Sequence, residues 1–567
     1  MYKGIDASRG IGIGSIKLIE EKELKFESRQ IDDIEKEKKR FEDALNEFKR
    51  RTTEMAENVR KNVGTKEAEI MEGHIAMASD PTMSGKMIEA IETRKCAETA
   101  VSEVCDMFIE LFSKMDDTLM QQRASDISDI KTSLIKILLN VEDINISKLP
   151  KGTILVARDL TPSMTVQIVK ENIVGIITEV GGKTSHSAIL ARSFEIPAVL
   201  SVPDITKQVK DKYIAIVDGT NGEVFINPDG ELISQYISKR EEFIKKETEL
   251  KKFIGKKTFT ADGIKLDLFC NIGTAKDAKK AVESDGEGIG LFRTEFLFID
   301  GNHLPTEEDQ FDAYKEVIDL AKDKTVIIRT LDIGGDKDIP YLGLKKEENP
   351  FLGYRAVRYC LGNEDIFKQQ LRAILRASAF GKVKIMIPLV TCVDEVREVK
   401  RLIEICKEEL ESEGIKFDKH INVGCMVETA SASLIADILA KEVDFFSIGT
   451  NDLTQYTMSV DRGNPKVAYL YSTFQPSVIR SIKNIIDCAK KQKIQVGMCG
   501  ESAADSLMIP LLISFGLDEY SVNPALVLKT RSTILKWSKK EADELAKKVL
   551  NLSTEKEIVE LLKKSKK

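Results

Sequence analysis

Apolar positions along the chain fall into three rhythms. Residues 1–28 carry short β-branched runs interrupted by Gly10, Gly12 and Gly14, which predicts short strands joined by glycine-rich turns. Over Ile31–Val63 and Lys66–Asn140 the spacing turns helical, with Ala, Leu and Met set among Glu and Lys, and Asp80-Pro81 supplies a break. These stretches read as long antiparallel helices with charged outer faces. At Pro150-Lys151-Gly152 the rhythm reverts. Thr153–Ala157, Val174–Glu179 and Tyr213–Val217 are short β-branched runs, and Asn221-Gly222 between two such runs signals a hairpin. Residues 1–28 and 146–229 are therefore expected to form one α/β domain, with residues 29–145 inserted as a helical subdomain. Residues 230–254 read as a charged helical linker.

The third rhythm fills residues 255–567. Eight apolar, strand-like runs recur in order: Lys265–Ile272, Gly288–Phe292, Thr325–Leu331, Lys384–Val390, Ile421–Val427, Phe445–Gly449, Gln495–Met498 and Glu519–Val522. Helical or irregular segments separate them. Parallel strands covered on both faces read as continuous apolar runs, and eight strand–helix repeats predict a (β/α)₈ barrel.

Composition narrows the function classes. The chain has 567 residues, 42% hydrophobic and 31% charged, an ordinary globular balance. Lys plus Arg number 85 against 92 Asp plus Glu, a net charge of −7. Without a basic excess, nucleic acid is not an expected partner, and any anion site must be a local cluster of arginines. No apolar run reaches the ~18 residues of a membrane span, so no membrane insertion is expected. The opening Met-Tyr-Lys-Gly-Ile-Asp lacks the apolar stretch of a secretory signal. The nine cysteines include no C-x-x-C pair, which speaks against a disulfide framework or zinc ribbon and for a cytoplasmic location.

The polar residues at the strand ends carry the candidate chemistry, since barrel active sites form where the βα loops converge. The second run ends in Arg293-Thr294-Glu295, the third in Arg329-Thr330-Leu331-Asp332, the fifth in Glu428-Thr429, the sixth in Gly449-Thr450-Asn451-Asp452, the seventh in Cys499-Gly500-Glu501, and Arg462 follows the sixth. Guanidinium groups of Arg293, Arg329 and Arg462 match phosphate and carboxylate bidentately. Glu428 and Asp452 are hard oxygen ligands of the kind that hold Mg²⁺ together with substrate oxygens. The Cys499 thiol can donate a proton. A single such residue has a bland structural explanation; their recurrence at one end of consecutive strands is the signal.

A second constellation is Gly181–Arg192. An apolar strand ends at Val180, two glycines permit a tight turn, and a helix is expected to start near Ser185. This puts His186 at a helix N-terminus, where free N–H groups favour an anion and disfavour the imidazolium, leaving a nucleophilic ring. His74, His303 and His420 have no comparable setting.

With these residues in view, the sequence resembles the enzyme I family of the bacterial sugar phosphotransferase system. The specific segments are Gly181–Arg192, Gly290–Phe298, Asp332–Lys337, Glu348–Arg355, Ser447–Tyr456 and Gly497–Glu501. The resemblance spans essentially the whole chain and implies phosphoenolpyruvate as substrate. It implies His186 as the phosphorylated histidine and Cys499 as the acid that protonates the enolate. Arg293, Arg329, Arg355, Asn451, Asp452, Arg462 and Lys337 would bind substrate, and Glu428 and Asp452 would bind Mg²⁺. Thr165 would contact the active imidazole. The inserted helices would dock HPr, the small histidine phosphocarrier, and the barrels would join a homodimer. Lys183 stands where the family often has arginine. Ala430 and Ser431 follow Thr429 where a proline is common, which leaves that loop expected to be looser.

Three rivals remain open from the sequence. A dikinase or phosphoenolpyruvate synthase shares the swinging histidine but needs an ATP-binding domain for which residues 1–180 leave no room. A Mg²⁺-dependent lyase could use the same barrel without His186, since fold does not fix function. A non-catalytic partner-binding protein would use the helices alone.

Overall fold

Eight short strands near the two ends of residues 1–226 make one sheet. They are β1 (Tyr2–Lys3), β2 (Ile5–Ser8), β3 (Ile11–Ile19), β4 (Thr153–Ala157), β5 (Ile173–Thr178), β6 (Ala198–Leu200), β7 (Ile214–Asp218) and β8 (Glu223–Ile226). In this computed structural model the order across the sheet is β1-β8-β7-β3-β4-β5-β6-β2. The structure describes all residues except 20–23, 25, 63–64, 114–117, 142–145, 166, 183–184, 300–302, 335–338, 345–346 and 465. For residues 58–59, 61–62, 65–70, 118–122, 125, 162–163, 186, 189, 193, 247 and 340 it describes the backbone alone. The chain divides into two units, Met1–Lys246 and Glu247–Lys567.

In the first unit β3, β4, β5 and β6 run parallel, and β7 and β8 add antiparallel. β1 and β2 are halves of one extended segment parted at Gly4, yet they border opposite ends of the order, so the sheet curls round on itself. A Cβ on Gly4 would lie 2.3 Å from the Leu200 carbonyl oxygen. The glycines expected in turns divide differently. Gly10 sits at a bend with φ +118°, whereas Gly12 and Gly14 lie inside β3. A Cβ there would come within 1.9 Å of the Val174 oxygen and 2.1 Å of the Gly152 oxygen, so what these two positions need is close backbone approach. Leu155 and Ile176 pack into one core, and Ile154, Val156 and Ile177 into the other, which is why β4 and β5 read as unbroken apolar runs. The Asn221-Gly222 signal falls in the turn between β7 and β8, with Gly222 at φ +69°.

Among the described residues five α-helices stand between β3 and β4: α1 (Ile34–Asn62), α2 (Thr65–Ser79), α3 (Pro81–Glu92), α4 (Ala97–Ser113) and α5 (Thr118–Leu138). The break at Asp80-Pro81 is an N-cap. The Asp80 carboxylate accepts the Thr82 N–H at 2.7 Å, and Pro81 takes the first helical position, where no N–H is needed. A further break, absent from the sequence reading, falls after α3. There Arg94 adopts φ +69°, and the Glu37 carboxylate of α1 accepts the Ala97 N–H at 2.8 Å at the start of α4. Phe41, Met87, Ile91, Val101 and Leu134 fill the core of this bundle.

The second unit contains a closed barrel of eight parallel strands: β9 (Asp267–Ile272), β10 (Ile289–Arg293), β11 (Val326–Arg329), β12 (Val383–Ile387), β13 (Asn422–Val427), β14 (Phe445–Ile448), β15 (Gln495–Met498) and β16 (Glu519–Val522). β16 closes onto β9 with Glu519 opposite Asp267 and Val522 opposite Cys270. All eight runs read from the sequence are strands, so the fold is the (β/α)₈ barrel expected. Leu291, Ile327, Met386, Met426, Phe445 and Cys499 pack in the interior. A fully buried guanidinium, Arg531, ties down the segment that leads into β9. It donates to the Phe253 oxygen at 2.9 Å, Asp285 Oδ2 at 2.5 Å and Thr258 Oγ1 at 3.1 Å. Among the described residues no helix is long and apolar enough to cross a membrane.

The barrel floor holds a buried carboxyl group. Glu519 lies between the bare backbones of Gly290 and Gly497, and its Oε1 accepts no hydrogen bond. Burial pushes it up to about 8, opposed by Lys384, whose own value burial lowers. The folded chain thus keeps a proton that the unfolded chain releases near 4.5, so Glu519 costs stability increasingly as pH rises from there to about 8. Glu519→Gln is expected to raise Tm by about 2–6 °C at pH 8 and to leave it nearly unchanged at pH 4.5, as read by calorimetry.

Candidate active site

The glycine turn and helix around His186 form as the sequence predicts. β5 leads through a bend to Gly181, at φ +116°, whose carbonyl accepts from Ser201 Oγ at 2.7 Å. Ser185 is the N-cap of α7 (His186–Ser193); α6 (Pro162–Thr165) precedes it in the chain. The Ser185 hydroxyl accepts the Ala188 N–H at 3.3 Å. Ala188, Leu190 and Ala191 point into the core, and Ser187 Oγ donates to Asp159 Oδ1 at 3.1 Å. At the far end Arg192 Nη1 donates to the Ala7 oxygen at 3.1 Å. His186 therefore opens a helix anchored along its length. The His186 side chain and Lys183 lie outside the described residues. Thr165 is buried at the end of α6, which packs beside α7.

The barrel mouth gathers the other candidates. Arg293 and Arg329 close β10 and β11. Glu428 and Cys499 directly follow β13 and β15, and Asn451 and Asp452 stand in the first turn of the helix after β14. The arginines are held in a chain of carboxylates. Arg329 Nη2 meets Glu295 Oε1 at 2.6 Å and Asp332 Oδ2 at 3.2 Å. The other oxygen of Asp332 meets Arg355 Nη2 at 2.9 Å. Arg355 Nη2 also lies 3.4 Å from Asp452 Oδ2, and Arg462 Nη1 lies 3.4 Å from Asp452 Oδ1. Each buried guanidinium keeps one N–H unspent, for Nε of Arg329 and of Arg355 has no hydrogen-bond partner. Asn451 is fixed through its carbonyl, which accepts from Tyr471 at 3.1 Å. Lys337 lies outside the described residues.

The electrostatics follow from this layout. Burial alone would lower the arginine values, but Glu295 and Asp332 raise Arg329, and Asp332 and Asp452 raise Arg355, so both stay charged. Glu428 is raised well above the usual carboxylate range, first by burial and then by Asp452 and Asp332, with Arg329 and Arg355 opposing. Burial lifts the Cys499 thiol to about 11, against the pull of a Ser447 hydrogen bond and of Arg329 and Arg293, so it is protonated at neutral pH.

Glu295 and Asp332 stood at strand ends in the sequence without a role. They prove to be the groups that hold Arg329 and Arg355, and the signal for them was their place just after Arg293 and Arg329, in segments that carry the family resemblance. The loop after β13, expected to be loose for want of proline, is tied. Thr429 Oγ1 donates to the Val390 oxygen at 2.8 Å and accepts the Ala432 N–H at 3.0 Å, while Ser431 Oγ donates to the Thr391 oxygen at 2.7 Å.

A divalent cation fits this mouth. Among the described residues the arginines of the mouth are already engaged by carboxylates, Arg329 by Glu295 and Asp332, Arg355 by Asp332 and Asp452, and Arg462 by Asp452. Asp452 Oδ1 is buried without a hydrogen bond, and Glu428 is crowded by like charge. Both conditions are relieved by a hard cation on these oxygens.

Comparison with known proteins finds relatives along the whole chain. Three family models match: "PEP-utilising enzyme, N-terminal" over residues 3–123, "PEP-utilising enzyme, mobile domain" over 149–222, and "PEP-utilising enzyme, PEP-binding domain" over 247–539. A phosphoenolpyruvate-protein phosphotransferase of Listeria innocua is 44% identical over 563 residues, 99% of this chain and 98% of its own length. The chain belongs to the phosphoenolpyruvate–protein phosphotransferase family. The Bacillus subtilis member is likewise 44% identical, over 99% of both chains, and the Staphylococcus carnosus member is 43% identical over 99% of this chain and 98% of its own. As a phosphoenolpyruvate–protein phosphotransferase family member the chain is an enzyme. The segment matched by the mobile-domain model carries His186, and the segment matched by the PEP-binding model carries the whole barrel mouth.

Proposed function

We propose that the protein transfers the phosphoryl group of phosphoenolpyruvate to its own His186, releasing pyruvate, and then to a histidine of HPr, as the first step of a sugar phosphotransferase system. The observation that carries this reading is the convergence of Arg293, Arg329, Arg355, Asn451 and Arg462 with Glu428, Asp452 and Cys499 on one barrel mouth, in a family of that activity. Phosphoryl transfer needs positioning and charge neutralisation above all, and the clustered guanidinium groups offer both to the phosphate and the carboxylate. Glu428 and Asp452 would hold Mg²⁺, which when bound neutralises phosphate and enolate oxygens.

In this reading Nε2 of His186 attacks phosphorus in line, and the bond from phosphorus to the enol oxygen breaks. The enolate takes its proton on carbon from Cys499 Sγ, and water restores the thiol. Thr165 would steady the imidazole. The α/β domain (1–28 and 146–229) would carry the histidine between the barrel and HPr docked on residues 29–145, turning about the linker 230–254. Residues 255–567 would bind substrate and join a cytoplasmic homodimer.

Full-length protein incubated with phosphorus-labelled phosphoenolpyruvate and Mg²⁺ is expected to gain an acid-labile, base-stable label that chases onto added HPr. Labelling by ATP in place of phosphoenolpyruvate would contradict the reading. Cys499→Ala, which removes a proton donor at little cost in volume, is expected to slow pyruvate formation by about 10²–10⁴-fold with the fold intact. Wild-type activity should keep its proton donor up to alkaline pH, because the thiol titrates only near about 11.

A further inference from the structure

Glu428 is held from two sides. On one, Leu389 donates its backbone N–H to Oε1 at 2.7 Å. Leu389 adopts φ +54°, a left-handed conformation that costs a residue with a side chain about 1–2 kcal/mol. Such strain persists only where the surroundings dictate it, and it gathers at functional sites. On the other side stands Gly449, the residue after β14. Its φ of −87° suits any residue, so what this position demands is space. A Cβ there would lie 2.5 Å from Glu428 Oε2, 2.9 Å from Glu428 Cβ and 3.1 Å from Met426 Sδ. Among the described residues no other group donates to Glu428. Oε1 is thus spent on the backbone, while Oε2 lies beside the bare Cα of Gly449, and the carboxyl group as a whole is within electrostatic reach of Asp452.

We propose that Leu389 and Gly449 are positioning residues for the cation site: the strained N–H pins Oε1, and the missing side chain lets Oε2 share a divalent ion with Asp452. The inference deepens the functional reading above and rests on Glu428 being a ligand. Groups that orient a metal ligand are typically worth 10–100-fold in affinity.

The test uses the full chain with Mn²⁺ and oxalate as probe, free Mn²⁺ being counted by electron paramagnetic resonance and thermal unfolding followed alongside. Leu389→Val removes little volume, but a β-branched residue resists φ > 0 and so withdraws the N–H. Leu389→Gly empties far more space yet keeps the backbone accessible. The Mn²⁺ dissociation constant is expected to rise about tenfold or more in Leu389→Val and in Gly449→Ala, and to stay within about threefold in Leu389→Gly, although the last should lose the most thermal stability. A plain packing role gives the opposite order, and weaker Mn²⁺ binding in Leu389→Gly than in Leu389→Val would overturn the proposal. Glu428→Gln separates the two levels. If it weakens Mn²⁺ binding while Leu389→Val and Gly449→Ala do not, only the positioning role falls; if it too leaves binding unchanged, the ligand reading itself is wrong.

Discussion

His186→Ala is expected to take up no phosphoryl group from phosphoenolpyruvate, with pyruvate formation in the presence of HPr falling at least about 10⁴-fold, because removing the nucleophile of a covalent mechanism leaves only binding and electrostatic assistance. The substitution is benign for the fold. The helix it opens is anchored by Ser185, Ser187 and Arg192, none of which depends on the imidazole, and alanine is the best helix former. No other histidine offers a ready substitute. His74 is buried in the helical insert with Asp126 at 3.3 Å, and a phosphoryl group there would be desolvated beside like charge. His420 lies just before β13, at the strand end away from the mouth, and His303 lies in the connection after β10 where, among the described residues, no helix N-terminus opens on it as α7 opens on His186. Quantitative labelling with intact-mass analysis reads the outcome directly. Persistent acid-labile label on the variant would mean that another residue accepts the group and that the proposed chemistry is misassigned.

Arg329→Lys is the second large effect expected, a fall of about 10²–10³-fold in kcat/KM for phosphoenolpyruvate with net charge unchanged. The guanidinium commits Nη2 to Glu295 and Asp332 and still has other N–H groups to give. A lysine ammonium is a single point, and Glu295 and Asp332 would claim it. The loss is therefore one of geometry and not of charge. It should appear in kcat as well as KM, because the free N–H matters most where charge builds up on the departing group. Steady-state pyruvate release measured with saturating HPr checks this. A loss below about threefold would remove Arg329 from the binding set.

The barrel was legible because its strands are apolar on both faces, so eight runs stood out against polar helices and loops. Their ends were read too long where buried apolar residues continue past the sheet. Leu331, Leu389 and Val390 are fully buried but belong to the mouth, not to β11 or β12. The break after α3 has no mark in the sequence, for neither Gly nor Pro stands there; Arg94 turns the chain where its carbonyl accepts the Ile31 N–H and Glu37 of α1 caps α4. Residue types that bind anions were visible at the strand ends, since side-chain chemistry is local. Their partners were not, for a carboxylate such as Asp332 becomes a bridge between Arg329 and Arg355 only when the long connection after β11 folds back over the strand end. The left-handed backbone of Leu389 has no signature in a leucine at all.

The way the first unit begins has a bearing on its behaviour in a crowded cell. A sheet with a long free border is a template on which a stray strand from another molecule can pair, the usual seed of aggregation. Here one segment, split at Gly4, occupies both margins of the sheet in stretches of only two and four residues. So little unpaired backbone is left that the module carrying His186 is poorly suited to recruit foreign chains, even with its surfaces exposed to solvent.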